Sequence, residues 1–79
     1  MKSDLVICID NEGYEVSLEK RKLYVKIDDP DAERHGQVRV IDESGDDYLF
    51  PESFFFAVTL PAAVEEAVLN AAAKYEFKD

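Results

Sequence analysis

Cys8 and His35 are the chain's one cysteine and one histidine, so any thiol–imidazole nucleophile would have to be built from this pair. Such a pair needs an orienting group and a cleft. Cys8 instead lies inside the β-rich run Leu5-Val6-Ile7-Cys8-Ile9, where a lone cysteine behaves as a small buried hydrophobe. His35 precedes Gly36 in a polar loop, the setting of an exposed ring. Zinc takes about three or four nitrogen or sulfur ligands, more than one Cys and one His supply. The three glycines are far apart and each sits in a turn, so there is no glycine-rich phosphate cradle.

Two acidic loops, Asp28-Asp29-Pro30-Asp31-Ala32-Glu33 and Asp42-Glu43-Ser44-Gly45-Asp46-Asp47, hold enough oxygen to attract a hard cation. Calcium, however, needs about six to eight converging oxygens. Neither loop has the alternating acidic spacing with a distant Glu that supplies them. Solvated turn carboxylates are the expectation, with no metal and no cofactor. Carboxylate pairs suited to acid–base work arise anywhere in so acidic a chain, and a small domain has little room for a catalytic pocket. The expectation is therefore a protein that is not an enzyme, with a small metal-binding or enzymatic protein as one alternative.

Glu19-Lys20-Arg21-Lys22, with Arg34 and Arg39, is the only basic concentration. With Tyr14 or Tyr24 as a platform on which a nucleobase stacks, it defines a second alternative, a nucleic-acid-binding surface on the Lys20-Arg21-Lys22 turn. A net charge of −9 opposes that reading. The remaining signal is aromatic: Tyr14, Tyr24, Tyr48, Phe50, Phe54, Phe55 and Phe56. Alternate residues of a strand face opposite sides, so Phe54, Phe55 and Phe56 cannot all enter one core. At least one must meet a helix, a partner or solvent. Tyr48, Pro51 and Phe54, flanked by Glu52, Asp46 and Asp47, form the candidate partner surface, and its acids favour a basic protein partner.

The elements that would position these residues are short. Leu5–Ile9 reads as a strand stopped by Asp10-Asn11-Glu12-Gly13, and the alternation in Tyr14–Leu18 predicts a second strand. Leu23–Ile27, Val38–Ile41 and Tyr48–Phe50 follow as strands, with Phe55–Leu60 as a sixth. Residues 31 to 35 have room for one helical turn after Pro30. Glu43-Ser44-Gly45-Asp46 suits a hairpin turn closed by a left-handed glycine. Pro51 lacks a donor, so a single 3₁₀ turn is expected at 51 to 54. From Pro61 the period becomes helical, with Val64, Ala67, Val68, Ala71, Ala72 and Tyr75 on one face and Leu69 and Phe77 off it; Thr59 is the candidate cap.

Seventy-nine residues make one domain, with strands over 1–60 and a helix over 61–79 packed on them. A 47% apolar and 34% charged composition is a globular balance. One cysteine excludes an internal disulfide. The apolar run of Leu5 to Ile9 is too short for a signal core or a membrane span. The expected address is the cytoplasm, with neither nucleic acid nor membrane as partner. A monomer is favoured, unless the helix pairs between two copies.

The order of elements resembles an SH3-like small barrel. Leu18–Val25 resembles its diverging turn, Asp28–Gly36 its n-Src loop and Asp42–Asp47 its distal hairpin. Leu49-Phe50-Pro51-Glu52-Ser53-Phe54-Phe55 resembles the stretch carrying its 3₁₀ turn. The resemblance implies a closed barrel of five to six antiparallel strands, with Pro51 and Phe54 at the positions that line an aromatic peptide groove. No Trp follows the n-Src-like loop, where Val38-Arg39 stands instead. The run from Arg39 to Phe55, followed by an Ala- and Glu-rich helix, also resembles a group of short, uncharacterised bacterial proteins, a likeness that implies no activity.

Overall fold

The computed structural model describes the backbone of residues 3–76 and the side chains of residues 5–71. Five strands, β1 (Ser3–Cys8), β2 (Leu23–Ile27), β3 (Gln37–Ile41), β4 (Asp47–Pro51) and β5 (Phe55–Ala57), form one antiparallel sheet in the order β4-β3-β2-β1-β5. A four-residue helix, α1 (Pro30–Glu33), joins β2 to β3. A 3₁₀ turn at Glu52–Phe54 joins β4 to β5, and α2 (Ala62–Glu76) closes the described chain. The small, mostly β fold with a C-terminal helix is as expected.

Two expectations about the sheet's strands are corrected first. The sheet is not closed into a barrel: β4 and β5 are its two edges, and no ladder joins them. It is nevertheless strongly rolled. Strands four positions apart in a flat sheet would lie about 19 Å from one another, yet the rings of Phe50 on β4 and Phe55 on β5 are 6.2 Å apart. The second correction concerns Tyr14–Leu18, which forms turns instead of a strand. Ser17 and Leu18 both donate to the carbonyl of Tyr14, at 2.9 and 3.0 Å. The Asn11 side-chain amide donates to the Leu18 carbonyl at 2.9 Å, so local bonds take the place of a ladder.

The register sorts the side chains. Val6 stands opposite Tyr24 and Ala57, Cys8 opposite Phe55, and Val38 opposite Phe50. These residues share the concave face and, apart from the exposed Ala57, make the core with Val40, Leu18 and Phe54. Leu18 enters it from the loop before β2 and is fully buried. The convex face carries Leu5, Ile7, Leu23, Val25, Ile41 and Phe56. A groove of about 520 Å³ separates part of it from α2, walled by Leu5, Leu23, Val25 and Ile41 on the sheet and by Val68 and Ala71 on the helix.

The helix meets its surroundings on a face rotated from the expected one. Glu65, Val68 and Leu69 are half-buried, whereas Val64 is exposed. Leu69, expected off the apolar stripe, therefore belongs to the covered side. The side chains of Ala72 and Tyr75, and Phe77, lie outside the described residues.

Candidate functional site

The aromatic corner is built from three elements. The 3₁₀ turn after Pro51 drops Phe54 into the core, where it is 7% exposed. The loop before β2 lays Tyr14 across it, with ring centroids 5.7 Å from Phe54 and 5.3 Å from Phe50, both edge-on. Such edge-to-face pairs stabilise by about 0.5–1.5 kcal/mol beyond burial. Tyr14 itself stays 40% exposed. Tyr48 lies two residues from Phe50 on the same face of β4 and is 52% exposed.

Of the residues singled out in the sequence, Tyr48, Glu52, Asp46 and Asp47 are at the surface and Pro51 is half-buried at the end of β4. Phe54 is not a surface residue but the wall beneath one. Tyr14 takes the exposed place expected of Phe54. Its two ring contacts depend on a loop whose course the strand-like alternation concealed. The spare phenylalanine is Phe56, 64% exposed on the convex face beside Ile7, and α2 does not hide it.

The acidic loops are largely wired into the fold. Asp29 caps α1 by accepting from the Ala32 N–H at 3.1 Å and takes the Arg39 guanidinium at 2.8 Å. Arg39 also reaches Asp47 at 3.1 Å. That guanidinium, and then the cap bond, hold the Asp29 carboxyl below its ordinary range, and the two carboxylates hold Arg39 above its own. Glu33 pairs with Lys26 and Asp31 with Arg34. Asp42, buried, accepts from both the N–H and the hydroxyl of Ser44, at 2.8 and 2.6 Å, and so shapes the hairpin turn. Gly45 closes that turn at φ 89°, a conformation that excludes most side chains. Among the described residues no three His, Cys, Asp or Glu side chains converge on a point that could hold a metal.

Glu43, in the same hairpin turn, is a second hub, and its N–H donates to the Ser17 carbonyl at 3.0 Å. Its Oε2 accepts from Lys22 Nζ and from the Tyr24 hydroxyl, each at 2.6 Å. The Tyr24 hydroxyl in turn accepts from the Glu19 N–H at 2.7 Å. Lys22, then Tyr24, hold the Glu43 carboxyl below its usual range, while burial, reinforced by Glu43, pushes the Tyr24 phenol well above its own. Lys22 of the basic run is thus committed to a carboxylate. Arg21 sits in the left-handed region at φ 68° and its N–H donates to the Cys8 carbonyl at 2.7 Å, so the run is a tight turn.

Cys8 and His35 are each engaged separately. The buried Cys8 thiol donates to the Asp10 carbonyl at 3.2 Å, and His35 Nδ1 lies 2.9 Å from the Asp31 carbonyl. Burial pushes the Cys8 thiol up, away from the thiolate form a nucleophile needs. No helix among the described residues is long and apolar enough to cross a membrane. No protein-family model, curated protein or solved structure matches the chain.

Proposed function

We propose that the chain is a non-enzymatic, SH3-like protein-interaction module of the cytoplasm that holds a basic partner on its acid-flanked aromatic corner. The observation that carries the reading is the pair of half-exposed rings, Tyr14 and Tyr48, beside Phe50. The Tyr14 ring, supported from beneath by Phe50 and Phe54, loses little freedom on binding, and Tyr is enriched at contact surfaces. Asp46 and Glu52, exposed at the two ends of β4, would steer a basic partner in while excluding acidic ones; Asp47 lies on the other face and holds Arg39. The order of elements from β2 through the 3₁₀ turn is consistent with the SH3-like resemblance, although the sheet stays open.

The test is affinity capture from the native organism with the whole chain, read by mass spectrometry. Tyr48→Ala and Tyr14→Ala are expected to lower recovery of a salt-sensitive partner about tenfold or more, as central aromatic contacts do. Unchanged recovery by folded variants would overturn the reading. Phe54→Ala is unsuitable as a surface probe, because that ring is core.

A further inference from the structure

Strand β4 is an edge of the sheet and pairs with β3 alone. In an antiparallel ladder, residue pairs that exchange hydrogen bonds alternate with pairs that do not. The phase is fixed at both ends: the Asp42 N–H donates to the Asp46 carbonyl at 3.0 Å, and the Glu52 N–H to the Gly36 carbonyl at 2.9 Å. Tyr48 and Phe50 therefore bond to Val40 and Val38, while Asp47 and Leu49 fall at the alternate positions. The N–H and C=O groups of Asp47 and Leu49 consequently point away from the sheet. No other hydrogen bond takes them up among the described residues.

We propose that this edge receives an extended, Lys- or Arg-rich segment of a partner as an additional strand. Main-chain bonds to Asp47 and Leu49 would supply the register, as in strand addition generally. Alternate side chains of the incoming segment then fall beside Tyr48 on the concave side and beside Asp47 and Leu49 on the convex side. Asp46 and Asp47 stand at one end of the edge and Glu52 at the other, so the complementary charge is positive. A second copy is the poorer occupant. Antiparallel pairing of β4 with itself about Leu49 would bring Asp46 and Asp47 of each chain toward Glu52 of the other, with a net charge of −9 on both. The inference rests on the interaction reading above and adds the mode of contact and the class of partner.

The probe is a blocked eight-residue peptide of alternating Lys and Val, with a Glu-for-Lys peptide as control, added to the isotopically labelled whole chain. Backbone spectra are expected to shift at Asp47 and Leu49, with exchange of those two amides slowed about tenfold or more by the Lys peptide alone. Leu49→Pro removes one outward donor without breaking a ladder bond, and is expected to weaken peptide binding about tenfold. Should that variant fail to fold, amide exchange in the unaltered chain decides. Shifts confined to Tyr14 and Tyr48, without amide protection, would overturn edge pairing and leave the interaction reading standing. No response to the Lys peptide would overturn this inference, whatever partner capture through Tyr48 shows. Protection of the same amides in a self-associated species, seen by sedimentation without peptide, would overturn the choice of occupant.

Discussion

A single carboxylate ties together three parts of the chain. Glu43, on the hairpin rim, holds both Lys22 and the hydroxyl of Tyr24, whose ring is 6% exposed. Because the folded Tyr24 value is raised, its contribution to stability is complete below the unfolded phenol value of about 10 and is lost as pH climbs through the folded one. The Glu43 value is lowered, so its contribution is complete above the unfolded carboxylate value of about 4.3 and fades as pH falls through the folded one. Tyr24→Phe is expected to cost about 1–2 kcal/mol near neutral pH by urea unfolding, since it strips the Glu19 N–H and Glu43 of a partner. The late-ionising phenolate absorbance should vanish in that variant. A titration curve identical to that of the parent would refute this account.

At the level of elements, the loop between β1 and β2 matters most, because Leu18 fills the centre of the rolled sheet from it. Leu18→Ala is expected to destabilise by about 2–5 kcal/mol in denaturant melts. Val16→Ala, at a side chain 96% exposed, should change stability by no more than about 0.5 kcal/mol. Equal effects would mean that the alternation Tyr14-Val16-Leu18 reports a strand after all. This segment marks where sequence reading stops. Period 2 is a necessary feature of a half-wet strand and not a sufficient one, and bonds from Asn11 and Tyr14 can close the same residues into turns. The strand expected to run from Phe55 to Leu60 stops at Ala57, and the covered face of α2 is rotated from the expected one, whereas other signals carried through. Leu23–Ile27 emerged with the expected ends, Gly45 fixed the hairpin, and the 3₁₀ turn follows Pro51, although the reason expected for it does not hold: Pro51 sits at an outward position of β4 where no ladder bond needs its donor.

Taken together, the described residues form a sheet with two apolar sides, and α2 lies against part of the outer one. The inner side is filled by aromatic rings; the outer side is only partly roofed by the small side chains of α2. That one of Phe54, Phe55 and Phe56 must lie outside the core was legible from strand alternation. Which one was not, because the phase depends on how far the 3₁₀ turn advances the chain before β5 starts. Phe56→Glu should therefore leave the unfolding free energy within about 0.5 kcal/mol while lowering the fluorescence of a bound hydrophobic dye. A large loss of stability would show that the ring is covered in solution.

The register also places Cys8 at the seam where β1 meets β5, opposite Phe55, with its sulfur sealed from water. An alkylating reagent can reach that sulfur only after the seam parts. The chain thus carries its own clock: labelling kinetics count how often the roll comes undone, without any foreign tag.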